Sequence, residues 1–170
     1  MTDISKYILG EHNQNIELST SAENLTAAVA LIHQARKTID IYSHVLDPKV
    51  FNQSTCIEAL KNFVLKSPYS RIRILIRSPQ NTLRSGHRLI LLARHLSSYI
   101  AIRAANEEYS HDQDAFLIAD QRGMIQLQEG DRYDGICNFN NPELSVELSN
   151  RFENAWNHSS ENTEFRQLVI

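Results

Sequence analysis

The segment that decides the fold is Arg71–Arg77, which reads RIRILIR. Its three isoleucines share one face of an extended chain, and its three arginines and leucine share the other. Such alternation with a period of two predicts a β-strand. A weaker version of the pattern, TIDIY at Thr38–Tyr42, predicts a second strand. Between the two strands, residues from about Ser54 to Lys66 have helical periodicity, so the chain contains a strand–helix–strand unit.

Further helices and strands flank this unit. Helical periodicity extends over about Ser21–Arg36 and Thr82–Ser97, and Pro142 begins a final helix. The remaining strands are predicted at Asn15–Leu18, Tyr99–Ala104, Ala115–Asp120, Met124–Gln128 and Tyr133–Phe139. Alternating strands and helices favour parallel pairing, whereas a short turn before Met124 favours a hairpin. The predicted fold is an α/β class with a mixed sheet sandwiched by helices: a flexible N-terminus at 1–13, one domain at 14–157 and a C-terminal tail at 158–170.

Composition excludes several classes of protein. The 170 residues suit one domain, and the net charge of −3 argues against a general nucleic-acid-coating protein, although a local basic stripe leaves nucleic-acid binding open. No two of the five glycines form a GxG motif, so glycine-rich phosphate loops are excluded. The seven histidines and two cysteines have no metal-ligand spacing, and we predict neither a metal nor a cofactor. Two isolated cysteines, with no signal-peptide pattern and no apolar run of about 20 residues, predict a cytoplasmic protein without a transmembrane segment.

Basic side chains recur along the predicted helix at Thr82–Ser97. This stripe contains Arg84, His87, Arg88, Leu91, Arg94 and His95. One interpretation is an anion-facing surface, and the other is the solvated outer face of an amphipathic helix. Polar outer faces are the rule, so the second interpretation is favoured.

Polar residues also follow the predicted parallel strands. His44 follows TIDIY, Arg77 ends RIRILIR, and Arg103 lies in YIAIRA. Ligands tend to bind beyond the carboxyl ends of parallel strands, so convergence of these side chains predicts a pocket for a phosphate or carboxylate. In the alternative interpretation, Arg77 pairs with Asp47 or Asp114 and closes the edge of the sheet.

The order of these segments resembles one half of the phospholipase D superfamily, over roughly Ile16–Trp156. The resemblance rests on ALIHQARKTIDIYSHVLD, RIRILI and YIAIRA, followed by a strand in the place of the family motif H-x-K-x(4)-D. If Asp120 matches the motif aspartate, Gln113 occupies the histidine position and Ala115 the lysine position. Gly135-Ile136-Cys137-Asn138 resembles the G-S-x-N element and keeps its glycine and asparagine.

In this family, one histidine attacks phosphorus and a second protonates the leaving group. Glutamine and alanine supply neither function. The resemblance therefore implies a non-catalytic domain that binds a phosphate-containing ligand or a protein partner. The predicted ligand-binding residues are His44, Arg77, Arg103 and Asn138, with Arg84 and Arg88 as a basic rim.

Two other functions stay open. A divergent phosphodiesterase or nuclease would use His111 or His44 with Asp114 or Asp120. A regulatory module is the third, because the chain also resembles an uncharacterised bacterial domain sometimes found beside an acetyltransferase. The end at Phe165–Ile170 has three interpretations: an added edge strand, a contact that forms a homodimer, and a frayed tail.

Overall fold

The structure is a computed structural model that describes residues 3–84 and 87–161. Its helices are α1 (Ser21–Gln34), α2 (Pro48–Phe51), α3 (Ser54–Leu65), α4 (Pro79–Arg84), α5 (Arg88–His95) and α6 (Pro142–Asn157). Its strands are β1 (Ile16–Leu18), β2 (Thr38–Ser43), β3 (Arg71–Ile76), β4 (Ile100–Ala104), β5 (Ala115–Ala119), β6 (Gly123–Leu127), β7 (Gly135–Asn138) and β8 (Ser160–Glu161).

The described strands form one eight-stranded sheet in the order β1-β7-β6-β5-β2-β3-β4-β8. Strands β2, β3 and β4 are parallel, and every other neighbouring pair is antiparallel. The helical connections between β2, β3 and β4 produce the parallel part, and the turn between β5 and β6 produces the hairpin. The predicted mixed α/β sheet is therefore confirmed.

Helices cover both faces of the sheet. The isoleucines of β2 and β3 pack in one core with α1, α3 and α5. Tyr42, Leu75 and Phe116 point to the other face, where α6 contributes Phe152 and Trp156. Because both faces are buried, the second face of RIRILI carries a half-buried Arg73 and a fully buried Leu75 rather than solvated residues only.

The predicted flexible N-terminus requires a correction for the residues that are described. Ile4 and Tyr7 are buried, and the Tyr7 ring stacks on Phe139. The amide of Gly10 donates to the carbonyl oxygen of Phe139 at 2.8 Å. Burial of these side chains fixes the segment against the end of the sheet. The segment predicted as a C-terminal tail contains β8, which pairs with β4. Residues 162–170 lie outside the described part of the chain.

The sheet has two ends with different side chains. We call the end where β2, β3 and β4 finish the carboxyl end, and the opposite one the amino end. Strand β5 runs antiparallel to β2, so Ala115 lies at the carboxyl end and Asp120, just after β5, lies at the amino end. The predicted helix at Thr82–Ser97 is divided into α4 and α5, with residues 85 and 86 outside the described part.

Candidate functional site

A cleft of about 420 Å³ opens at the carboxyl end of the sheet. Four connections meet there, since β2 and β3 end at this edge, β5 begins at it, and the loop after β6 returns to it. The structure therefore brings together His44 and Arg77, as predicted from their positions after β2 and β3. The lining residues are His44, Val45, Arg77, Asp112, Gln113, Glu129, Gly130 and Asp131.

Arg77 contributes a guanidinium group to the lining of this cleft. Its Nη2 donates to the main-chain oxygen of Asp114 at 2.8 Å, and its Cζ lies 4.7 Å from the centre of the Tyr42 ring. Its Nε and Nη1 are buried and have no hydrogen-bond partner in the described part of the chain. Arg77 does contact Asp114, but through the main chain rather than through the carboxylate of the alternative interpretation. Asp47 caps α2 by accepting from the amide of Lys49.

The carboxylates of Asp112 and Asp114 are held by Arg151. Two nitrogens of Arg151 lie 2.7 and 2.9 Å from the carboxylate of Asp114, and Nη2 lies 3.7 Å from Asp112. Burial opposes ionisation of Asp114, but hydrogen bonds from Arg151 and Gln126 outweigh it and hold the pKa below its ordinary value. The hydroxyl of Tyr42 donates to Asp112 at 2.5 Å. Both carboxylates are thus bound by groups of the protein itself.

The two positions that differ from the family motif lie beside this cleft. Gln113 lines it, and the amide of Gly130 donates to the Gln113 carbonyl oxygen at 2.6 Å. Ala115 is buried and faces a neighbouring apolar cavity of about 50 Å³. His44 is exposed, and its imidazole has no hydrogen bond or ion pair among the described residues. Among the described residues of the cleft, no imidazole therefore contacts a carboxylate.

Arg103 does not converge with Arg77. Its Cζ lies 4.4 Å from the ring of Trp156, and its Nη1 is 3.5 Å from the main-chain oxygen of that residue. Arg77 stacks on the ring of Tyr42 in β2. Arg103 lies in β4, two strands away from β2, and stacks on the ring of Trp156 in α6. The predicted pocket with two guanidinium groups is not formed, and Arg103 is outside the cleft.

Asn138 lies at the amino end of the sheet, far along β7 from the cleft. Its register partner is Met124 at the start of β6, whereas Gly135 faces Leu127 at the carboxyl end. The Asn138 amide donates to Asn13 and Asn15 at 2.9 Å each, and its oxygen accepts from the amide of Asn140. Its hydrogen-bonding groups are therefore used within the fold, and the prediction that groups it with Arg77 is corrected.

Asp120 also lies at the amino end. Its carboxylate accepts three main-chain hydrogen bonds, from Arg36, Lys37 and Thr38. It therefore cannot assist His44 or any other side chain of the cleft. The antiparallel direction of β5 separates it from the cleft by the length of the strand.

The basic stripe of the predicted third helix is only partly exposed. Arg88 and Leu91 lie on the solvent side of α5, and Arg88 donates its amide to Asn52. His87 is buried, and its Nδ1 caps α5 by accepting from the amide of Leu89. His87 is therefore not part of an exposed basic stripe, and the prediction is wrong for this residue. Arg84 ends α4, and its side chain lies outside the described part of the structure.

The burial of His87 leads to a pH-dependent prediction. Burial lowers the pKa of His87 from about 6.5 to about 4. The folded state therefore binds this proton more weakly than the unfolded state. The stability that depends on neutral His87 is present above pH 6.5 and is lost as the pH falls towards 4, by a total of about 3 kcal/mol. Urea unfolding at several pH values measures this loss.

His87→Asn is the matched control, because asparagine keeps a capping oxygen but does not titrate. Its unfolding free energy should fall less steeply than that of the unchanged protein between pH 6.5 and 4. Parallel curves for the two proteins would contradict the assignment.

Sequence reasoning missed Tyr42 and Arg151 as residues of this region. The hydroxyl of Tyr42 contacts Asp112, which lines the cleft, and this contact joins residues 70 positions apart, so no local pattern indicated it. Arg151 had a usable signal, since it lies between Leu148 and Phe152 at helical spacing on a face that is otherwise apolar. A charged group on such a face needs a buried partner.

Comparisons with known proteins support the fold. No curated protein matches the chain. Among solved structures, Nuc from Salmonella typhimurium, a phospholipase D family member, is 16% identical, with a TM-score of 0.64 and coverage of 88% of this chain and 97% of Nuc. NucT from Helicobacter pylori is 11% identical, with a TM-score of 0.63 and coverage of 88% and 99%. The archaeal chromatin protein TrmBL2 is 11% identical, with a TM-score of 0.65 and coverage of 94% and 57%.

The fold is therefore phospholipase D-like. Within the described residues, no helix has the length and apolar composition that crossing a membrane requires. A family profile described as "Domain of unknown function (DUF7931)" matches residues 20–168. That match spans most of the sequence, and the chain belongs to the DUF7931 family.

Proposed function

We propose that this chain is a non-catalytic phospholipase D-like domain whose cleft binds a small ligand through one phosphate or carboxylate group. The observation that carries the proposal is the state of Arg77. Of its three side-chain nitrogens, Nη2 has a protein acceptor, while Nε and Nη1 are buried without one in the described part. Buried guanidinium nitrogens without an acceptor are costly, so an oxyanion that reaches them gains free energy.

The lining of the cleft supports the absence of catalysis. Gln113 and Ala115 stand where the resemblance places the nucleophilic histidine and the phosphate-binding lysine. His44 is an exposed imidazole without a described carboxylate partner, and Asp114 is held by Arg151. Among the described residues, a base and a group that orients it are thus not assembled around a position where phosphorus would lie.

The charges of the cleft restrict the ligand. Glu129 and Asp131 line the same opening as Arg77, and both are exposed. Their negative charges repel a polyanion, so an extended nucleic-acid strand is a poor ligand, although TrmBL2 is described as binding DNA. A molecule with one anionic group, and with an amine facing the two carboxylates, suits the charge pattern best.

Binding measurements on substituted proteins test this proposal. Titration calorimetry with inorganic phosphate and with phosphoethanolamine should detect binding, tighter for the second compound. Arg77→Gln should weaken it by about tenfold or more, since a hydrogen bond to a charged group contributes about 1.5–3 kcal/mol. Arg103→Gln is the matched control: it removes a guanidinium group that also stacks on an aromatic ring under α6 but does not line the cleft.

Three results would count against the proposal. If neither compound binds the intact protein, the proposed ligand class is wrong. If Arg77→Gln and Arg103→Gln lose affinity equally, the binding site is not at Arg77. Hydrolysis of a phosphodiester such as bis(4-nitrophenyl) phosphate, abolished by His44→Ala, would replace it with the divergent phosphodiesterase. Association with a separate acetyltransferase stays a prediction that co-purification tests.

A further inference from the structure

Positive charge is concentrated at the amino end of the sheet, opposite the cleft. Arg36 and Lys37 join α1 to β2, while Lys66 directly follows α3 and Arg71 is the first residue of β3. The two connections touch, because the amide of Arg71 donates to the carbonyl oxygen of Lys37 at 3.1 Å. Lys66 also reaches across, with its Nζ 3.0 Å from the carbonyl oxygen of Ala35. We call these four side chains the basic patch: Arg36, Lys37, Lys66 and Arg71.

Within the described residues, no carboxylate forms a hydrogen bond or ion pair with the side chains of the basic patch. Arg36 and Lys37 are exposed, and neither side chain has a hydrogen bond or ion pair among the described residues. Asp120 lies at this connection, but its two oxygens accept from main-chain amides. Arg71 directs its Nη1 to the carbonyl oxygens of Pro68 and Ser70. Four cations thus share a surface on which the carboxylate of Asp120 is hydrogen-bonded to main-chain amides.

Exposed apolar side chains border the same patch. Ile8, Leu65 and Tyr69 are 46%, 71% and 82% exposed, and they are three of the five exposed large hydrophobic residues in the described part. Leu65 directly precedes Lys66, and the amide of Tyr69 donates to the hydroxyl of Ser67 at 3.1 Å. Ile8 lines a depression of about 780 Å³ together with Arg36, Lys66 and Ser67.

From this combination, we propose that the amino end of the sheet docks on the surface of an anionic lipid bilayer. The basic patch would face the lipid phosphates, and Leu65 and Tyr69 would enter the headgroup region. Lysine and arginine are attracted to anionic leaflets, and tyrosine suits the boundary between water and hydrocarbon. The cleft lies at the opposite end and faces away from the bilayer, so this inference does not depend on the proposed ligand.

Single-stranded nucleic acid fits the surface less well. Its bases stack on successive aromatic rings along a basic groove. Here Tyr69 supplies one ring, whereas Leu65 and Ile8 are aliphatic and present no such surface. Exposed aliphatic groups beside cations are instead typical of proteins that lie on a membrane surface.

Sedimentation of the full chain with vesicles tests the inference. Binding to phosphatidylcholine vesicles should require added phosphatidylserine and should weaken between about 0.1 M and 1 M salt, as screening shortens from about 10 to 3 Å. Arg36→Gln with Lys37→Gln should lower the affinity by about tenfold or more, since each basic residue near such a surface adds to it. Leu65→Ser with Tyr69→Ser should lower binding at both salt concentrations.

Matched variants at other exposed positions separate this surface from the net charge. Lys49→Gln with Arg132→Gln, and Leu91→Ser with Val146→Ser, change exposed residues outside the patch and should leave binding unchanged. Circular dichroism tests whether each variant is folded. No sedimentation with phosphatidylserine, or equal losses in the control variants, would overturn the inference. Tighter binding of short single-stranded DNA that displaces the vesicles would also overturn it and assign the patch to nucleic acid.

Discussion

Replacing Asp120 with alanine should lower the free energy of unfolding by about 3 kcal/mol and the melting temperature by roughly 6–12 °C. The carboxylate accepts hydrogen bonds from the amides of Arg36, Lys37 and Thr38 at 2.8, 2.7 and 3.0 Å. Hydrogen bonds to a charged acceptor contribute more than neutral ones, and alanine leaves all three amides without it. Urea and thermal unfolding of the full chain measure the effect.

The conformation of the turn adds to this effect. Asp120 has a φ of 53°, in the left-handed region that aspartate and asparagine tolerate better than alanine. Asp120→Asn keeps this tolerance and one acceptor oxygen, so it should cost distinctly less than Asp120→Ala. Asp131→Ala is the control for loss of an exposed carboxylate and should change stability by less than about 0.5 kcal/mol.

A stability equal to that of the unchanged protein would contradict this role. The expected result separates the motif aspartate from ligand binding, because Asp120→Ala, measured at a temperature where it is folded, should bind phosphoethanolamine as the unchanged protein does. Its position at the amino end, on the far side of β5 from Arg77, is the reason.

The second large effect concerns Arg73 and the buried carboxylate of Asp40. Arg73→Ala should destabilise the protein by about 3–5 kcal/mol, since it leaves an uncompensated charge inside the fold. The side chain of Asp40 is 3% exposed, and Arg73 places Nε 2.9 Å from Oδ1 and Nη2 3.3 Å from Oδ2. The same guanidinium lies 5.0 Å from the ring of Phe152, so stacking under α6 is lost too.

The effect of Arg73→Ala should depend on pH. Burial raises the pKa of Asp40, and the hydrogen bonds and charge of Arg73 oppose this rise. Without Arg73, the pKa rises further. A raised pKa means that the folded state binds the proton more tightly than the unfolded state. The contribution of protonated Asp40 to the free energy of unfolding is therefore present at low pH and is lost as the pH rises. The difference in unfolding free energy between Arg73→Ala and the unchanged protein should therefore become smaller as the pH falls below the pKa of Asp40 in the folded variant.

Two further variants identify the buried charge as the cause. Glu153→Gln removes the more exposed partner of Arg73, 2.8 Å away, and should cost less than about 1 kcal/mol. Arg73→Met with Asp40→Leu removes both buried charges and should recover most of the loss. A double variant as unstable as Arg73→Ala would show that packing, rather than the unpaired charge, causes the effect.

Periodicity along the sequence predicted most elements of the fold, but not the short α2 and β8 or the division of the third predicted helix into α4 and α5. RIRILI, TIDIY and the helix at Ser54–Lys66 correspond to β3, β2 and α3, and the turn before Met124 forms the expected hairpin. These features depend on local backbone geometry and on burial of one face, which neighbouring residues encode. The same reasoning placed His44 and Arg77 at one edge, since both follow parallel strands.

Only the tertiary structure decided which polar groups meet. Asn138 is three residues after Gly135 in a motif-like segment, yet the direction of β7 carries it to the amino end. Arg103 belongs to a predicted parallel strand, but Trp156, 53 residues later, takes its guanidinium group. The basic patch likewise joins two connections that are separated in sequence by β2, α2 and α3.

The physical reason is the range over which each property is set. Alternation and helix formation are determined within a few residues, so the sequence by itself determined the α/β class, the order of its elements and the strand-end position of Arg77. The partner of a side chain depends on strand direction, register and the docking of α6, which arise from burial over the whole chain. The tertiary structure alone therefore decided that two nitrogens of Arg77 have no partner among the described residues, that Asp120 serves the fold, and that basic side chains meet at the amino end.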